Sequence, residues 1–232
     1  MHILLTRPLE DCLEMILKLK SLGHRVSHLP LLVIEKMNYE KIDFFEYGAI
    51  IFTSANSIKF LDLNKIEKNI ICFCVGDMTE KKARMAGFQN TIAAEGRVSN
   101  LKELIIQNYE INNKPLLYIS GELISSDLDQ QLSKEGYKIK RIINYRVSHN
   151  QKFDENFIKD LKINIPNIVY VYSQNSASSL LNFIKVHQME NIWMDTNLMC
   201  IGEKTSSILN EIKWKKIFLF NPGEEEFLLY KI

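Results

Sequence analysis

Ile50-Ile51-Phe52-Thr53-Ser54-Ala55-Asn56-Ser57 is the stretch that decides how this chain is read. An apolar run stops at two hydroxyl side chains and a small residue, after which Ile58, Phe60 and Leu61 follow at helical spacing. A parallel strand buried on both faces is such an uninterrupted run, and its carboxyl end here turns directly into a helix. Ser54 or Asn56 is placed to cap that helix, leaving its first amides and hydroxyls to face a ligand. A related passage returns at Val169-Tyr170-Val171-Tyr172-Ser173-Gln174-Asn175-Ser176, opening a helix with Leu180, Leu181 and Phe183. Two such mouths predict one site lined from two sides.

Outward from this stretch, strands and helices alternate. Ile3 to Leu5 reads as a strand ending at Thr6-Arg7-Pro8, followed by a helix with Leu13, Ile16, Leu17 and Leu19 inward and Gly23 at its end. Val33 to Met37 looks extended but too short for a core strand with its own helix, so it reads as a connector. Ile70 to Val75 is a further apolar run, ending at Gly76 with Thr79 in the next turn. Leu116 to Gly121 then begins a second copy: Leu5 aligns with Leu117, Gly23 with Gly136 and Thr53 with Ser173. Gly76 and Thr79 align with Gly202 and Thr205. The order of elements is kept while the offset drifts through loops, which marks a duplication, and so long a period means two domains and not a solenoid. The fold class is therefore α/β: two doubly wound parallel-sheet domains facing each other across a cleft, with ligands beyond the carboxyl ends of the strands.

Composition narrows the function. The chain has 29 basic and 28 acidic residues, which argues against a nucleic-acid-binding surface. Cys72 and Cys74 alternate on one face, and with Cys12 and Cys200 they read as core packing in a reducing cytoplasm, since no Cys/His cluster falls at zinc-ligand spacing. No metal or cofactor is expected. The first residues lack the basic-then-apolar order of a signal peptide, and no apolar run is long enough to span a bilayer, so a soluble cytoplasmic protein with no membrane contact is expected.

The glycine turns Val75-Gly76-Asp77-Met78-Thr79 and Ile201-Gly202-Glu203-Lys204-Thr205 let backbone amides approach an anion. Neither is a Walker A loop or a GxGxxG fingerprint, so a nucleotide-dependent enzyme lacks its phosphate loop. Lys204 is the one cation in these turns and meets either a carboxylate or solvent. Tyr145 ends the run Arg141-Ile142-Ile143-Asn144. It is either a half-buried linker aromatic or a phenol placed to hydrogen-bond a leaving hydroxyl. The histidines (His2, His24, His28, His149 and His187) fall in no catalytic spacing, and no triad or paired-carboxylate motif is present.

Taken in order, Leu4-Leu5-Thr6-Arg7-Pro8, Phe52-Thr53-Ser54-Ala55-Asn56, Val75-Gly76 with Thr79, and Gly87-Phe88 resemble uroporphyrinogen-III synthase. So do Gly96 with Leu101, Tyr145-Arg146, Ile201-Gly202 with Thr205, and Pro222 before a final helix. The resemblance implies a discontinuous domain of residues 1–33 and 150–232, an inserted domain of 38–142, and connector strands at 34–37 and 143–149. It implies closure of hydroxymethylbilane to uroporphyrinogen III with inversion of ring D and loss of water, without cofactor, in tetrapyrrole biosynthesis.

By that resemblance Tyr145 assists departure of the hydroxyl. Thr53, Ser54, Ser173 and Thr205 contact the substrate, with Thr79 in the equivalent turn. Gly76 and Gly202 give amide access, and Arg7 and Arg146 are supplementary cations, beside Lys204. A monomer with transient contact to the preceding pathway enzyme is expected. The chain departs from the family at Ser120-Gly121, where a basic residue often precedes the glycine, at Ser125-Ser126, and at Tyr172-Ser173-Gln174. Those departures support a rival reading, a non-enzymatic module that closes on a small anionic ligand.

Overall fold

The structure is a computed structural model that describes residues 1–221 and 224; the helix expected after Pro222 lies outside the described residues. The chain divides into two compact units, Met1–Val33 with Ser148–Ile232, and Ile34–Val147.

The first unit holds a parallel five-stranded sheet, order β11-β10-β9-β1-β2, made of β1 (His2–Leu5), β2 (Arg25–His28), β9 (Ile168–Val171), β10 (Asn197–Ile201) and β11 (Lys216–Phe220). One face carries α1 (Leu9–Ser21), whose Cys12, Ile16 and Leu19 pack with Ile3, Leu5, Tyr170 and Met199. Leu13 and Leu17, expected inward, are 48% and 61% exposed. The buried stripe runs 12, 16, 19, and a residue one step along a helix is turned by about 100°. The other face carries α6 (Glu155–Ile163), α7 (Gln174–Val186) and α8 (Glu203–Ile208), over a core that includes Leu4, Val169, Leu180, Phe183 and Trp193.

The second unit holds a six-stranded sheet, order β3-β8-β7-β4-β5-β6, in which β8 to β6 run parallel. Its strands are β3 (Leu32–Lys36), β4 (Ala49–Phe52), β5 (Ile71–Cys74), β6 (Asn90–Ala93), β7 (Leu116–Gly121) and β8 (Ile139–His149). α2 (Ala55–Lys59) and α3 (Asp77–Met85) cover one face with Ile58 and Ala83; α4 (Val98–Asn108) and α5 (Leu128–Lys134) cover the other with Leu101, Ile105, Leu128 and Leu132. β4 is central, and all four of its side chains are fully buried. Each large one contributes roughly 1.5–3 kcal/mol by leaving water. β3 and β8 are the two elements in which the chain passes from one unit to the other.

The duplication is crossed between the sheets. The order β2-β1-β9-β10-β11 in one unit repeats β8-β7-β4-β5-β6 in the other, so each of these five-strand sets joins two strands of one copy to three of the other, with β3 added at the edge of the second sheet. Val171 pairs with Cys200 as Phe52 pairs with Cys74, which makes Tyr170 and Ile51 equivalent. Their partners Leu5 and Tyr118 are then equivalent too. Leu5 therefore matches Tyr118 and not Leu117, and Ser173 matches Ser54 and not Thr53. The helix caps agree: Ser54 caps α2 and Ser173 caps α7. Matching hydroxyl to hydroxyl by sequence missed the one-residue step that helix starting imposes.

All four cysteines are buried and unpaired. Burial pushes the Cys74 and Cys200 thiols up to about 12, so they remain neutral packing groups at neutral pH.

Candidate functional site

In doubly wound sheets a crevice opens where adjacent strands send their crossovers to opposite faces. That switch lies between β4 and β7 in the second unit and between β1 and β9 in the first. Each pair joins strands from different copies.

At the β4/β7 switch, the Ser54 hydroxyl accepts from the Asn56 amide at 3.2 Å and starts α2. Thr53 Oγ1 shares a 3.0 Å hydrogen bond with the hydroxyl of Tyr118, whose ring is fully buried under the strand end. Burial pushes the Tyr118 hydroxyl above the usual phenol range, and the Thr53 bond pulls the other way. Arg141 holds the end of β7: Nε donates to Ser120 Oγ at 2.8 Å, and Nη2 donates to the carbonyls of Gly121 at 2.9 Å and Glu122 at 3.1 Å. Tyr145, 7% exposed, lies with its ring against Gly121; a Cβ there would stand 2.7 Å from Tyr145 Cζ and 3.0 Å from Oη. Only glycine leaves room for this phenol.

At the β1/β9 switch the residues differ. Thr6 Oγ1 donates to the Tyr170 carbonyl at 2.6 Å, tying the two strands. The Arg7 guanidinium stacks 4.8 Å from the centroid of the Tyr172 ring, a cation–π contact that fixes the cation at the strand end. Ser173 Oγ accepts from the Ser176 amide at 3.1 Å and caps the 13-residue α7.

Charge separates these mouths from the glycine turns. The first turns of α2 and α7 carry no acidic residue. Those of α3 and α8 carry Asp77 with Glu80 and Glu203, which oppose an incoming carboxylate. Gly76 and Gly202 both stand at helix starts, for different reasons. Gly202 has φ +73°, whereas Gly76 is extended and leaves space for Gly96, whose Cα would lie 3.2 Å from an added Cβ. Thr79 and Thr205 are only 5% and 3% exposed, so they present little surface to a ligand. Lys204 is exposed in the first turn of α8. Arg146, also exposed, pairs with Glu35 at 2.7 Å between β8 and β3.

The structure thus brings Thr53, Ser54 and Tyr145 together in one unit, and Arg7 and Ser173 in the other. Sequence reading missed Tyr118, Arg141 and Asn144. Arg141, which with Lys140 interrupts the run Ile139 to Ile143, was the available signal. Tyr118 and Asn144 carried none, because each sits at an interior position of a strand. Among the described residues no cluster of three His, Cys, Asp or Glu could hold a metal ion, and no helix is long and apolar enough to cross a membrane.

Fold and site define a two-unit, doubly wound α/β protein with hydroxyl-rich strand ends at its switch points. Residues 14–219 match the family model described as uroporphyrinogen-III synthase HemD, and the chain belongs to the uroporphyrinogen-III synthase family, enzymes of the lyase class that cyclise hydroxymethylbilane in tetrapyrrole biosynthesis. Among solved structures, the fold is similar to uroporphyrinogen-III synthetase from Helicobacter pylori, at 18% identity, TM-score 0.66, and 100% and 99% coverage of the two chains. It is also similar to a mutant uroporphyrinogen III synthase from Thermus thermophilus, at 13% identity, TM-score 0.52, and 99% and 96% coverage. No curated protein matches the sequence.

Proposed function

We propose that Tyr145 is the acid that assists loss of the hydroxyl when this chain closes hydroxymethylbilane. The observation that carries this is the phenol seated on Gly121, beside the strand ends of the β4/β7 switch. As the C–O bond breaks, the hydroxyl oxygen gains negative charge and the carbon left behind becomes an azafulvene-type cation. A phenol donating to that oxygen lowers the barrier without any other group. Ring D then attacks through its substituted carbon, and the spiro intermediate fragments and recloses with that ring inverted. Unassisted closure gives the uninverted isomer, so holding the chain curled is the larger part of the task.

The substrate's carboxylates are met by amides and hydroxyls at Thr53, Ser54 and Ser173, whose helices carry no acidic residue in the first turn; the acid-bearing turns at Gly76 and Gly202, with Thr79 and Thr205 buried behind them, contribute less. Arg7, Arg146 and Lys204 supply cations. Arg7 is pre-oriented by Tyr172, and Arg146 gives up only an exposed ion pair, which is worth about 0–1 kcal/mol. Of these residues, Arg7, Ser173, Gly202, Lys204 and Thr205 belong to the domain of residues 1–33 with 150–232, and Thr53, Ser54, Gly76 and Thr79 to that of residues 38–142. The chain works as a cytoplasmic monomer with transient contact to the enzyme that supplies its unstable substrate.

The test is a coupled assay: hydroxymethylbilane is generated in place, products are oxidised to porphyrins, and isomers I and III are separated. Isomer III that depends on the chain is the expected result. Isomer I alone, with stoichiometric binding of tetrapyrrole by folded protein, would replace the enzyme with a binding module.

A further inference from the structure

The pairing of β7 with β8 slips at the strand end: Ser120 lies opposite Ile143, but Gly121 lies opposite Tyr145. Asn144 is the extra residue of this β-bulge, a device that re-aims the side chains beside it. Asn144 is fully buried. Its carbonyl accepts from the Met37 amide at 2.9 Å, and its Nδ2 donates to the Ser57 carbonyl at 2.6 Å.

That carbonyl is free because α2 is only five residues long. The Leu61 amide, which would take it in a longer helix, bonds Ile58 instead. Ser57 is in turn tied to the Ser54 carbonyl through both its amide, at 3.2 Å, and its hydroxyl, at 2.6 Å. One side chain thereby links the strand residue next to Tyr145 to the turn that presents Thr53 and Ser54.

The link has a cost. Asn144 Oδ1 is buried with no partner, which opposes folding by about 1–3 kcal/mol. Flipping the amide does not help, because the Ser57 carbonyl needs a donor. An apolar residue would avoid the orphan oxygen but leave that carbonyl unpaired and the bulge unanchored.

We infer that Asn144 is a positioning residue: it sets the place of the Tyr145 phenol relative to the Thr53–Ser54 mouth, and so acts on the reaction only through Tyr145. This rests on the proposed role of Tyr145. The test is a double-mutant cycle on kcat for isomer III with Asn144→Ser and Tyr145→Phe. Asn144→Ser is expected to lower kcat roughly tenfold in the parent chain with KM little changed, and to do almost nothing once Tyr145 is phenylalanine. Equal losses in both backgrounds would mark a merely structural role and overturn the inference. Asn144→Thr, which keeps a hydroxyl donor and the shape of a strand residue, serves in the same cycle should the serine variant not fold.

A second readout needs no turnover. With ¹³Cζ-labelled tyrosine, the Tyr145 signal, assigned by its loss in Tyr145→Phe, is expected to shift in the Asn144 variant while those of Tyr170 and Tyr172 stay in place. An unmoved Tyr145 signal overturns the inference even if the chain makes isomer III. Absence of isomer III from the parent chain would sink the enzymatic reading and leave this signal to decide the positioning role.

Discussion

The two switch points share a strand order and a common copy structure, yet they are furnished in opposite ways. In the second unit the strand end after Tyr118 is Ile119-Ser120-Gly121, clamped by Arg141, with a phenol lying where a side chain would have been. In the first unit the equivalents are Thr6-Arg7-Pro8, which enter α1 directly and carry a cation stacked on Tyr172. Thr53 and Tyr172 occupy equivalent positions. The first end holds a fixed positive charge; the second holds a proton donor. The difference teaches that a duplicated scaffold can keep its helix caps, here Ser54 and Ser173, while the residues beside them diverge in chemistry.

The sharpest way to break this comparison is to remove one hydroxyl from each side. Tyr145→Phe is expected to lower isomer III turnover on the order of 10- to 100-fold, a partial loss typical of a single general acid. Tyr172→Phe should leave kcat nearly unchanged, because its ring, which stacks on Arg7, remains. Equal losses in steady-state assays would erase the division of labour.

The glycines give a second contrast. Gly121→Ala drives a methyl into the Tyr145 ring and should cost about 1–3 kcal/mol of stability, with loss of turnover. Gly202→Ala meets no atom within 4 Å and should cost only the backbone penalty of its positive φ with extended ψ, about 1–3 kcal/mol, seen as a shifted urea midpoint with turnover retained. If Gly121→Ala leaves activity intact, the phenol's seat on that glycine is irrelevant.

Capping gives a smaller effect shared by both units. Ser54→Ala and Ser173→Ala should each lose about 1 kcal/mol in thermal or urea unfolding. A rise in KM for both variants would sharpen the view that both mouths hold carboxylates.

The smallest expected effect is acid sensitivity. All five histidines lie in the first unit and none between residues 34 and 147. Burial, with Arg25 adding to it, holds His2 below the ordinary histidine range, and burial, with Lys162, does the same for His187. A depressed pKa means that the folded state resists protonation. The associated stability is present above about pH 6.5 and is lost as pH falls through the lower folded values. Hydrogen exchange at pH 7 and pH 5 should therefore show the first unit weakening by more than the second, and His2→Gln should reduce the gap.

Much of this was legible in the sequence. β4 and β9 are buried on both faces, so Ile50-Ile51-Phe52 and Val169-Tyr170-Val171 announce themselves without reference to neighbours. Ser54 and Ser173 were visible because a helix start needs an acceptor for its free amides. Tyr145 was visible as a phenol in an extended run, but only the resemblance chose between its two readings, and Arg141 was seen without being assigned a role. Leu13 and Leu17 were misplaced because a helix with several leucines offers more than one apolar stripe.

By itself the sequence determined where parallel strands end, where helices begin and that the chain is duplicated, because burial and capping are local demands written residue by residue. Only the tertiary structure decided that β1 lies beside β9 and β7 beside β4, and that Leu5 answers to Tyr118. An apolar run fits any buried neighbour, so pairing and register are settled by burial summed over distant segments. The bulge at Asn144, the space at Gly121 and the clamp of Arg141 follow from that choice, and with them the place of the Tyr145 phenol.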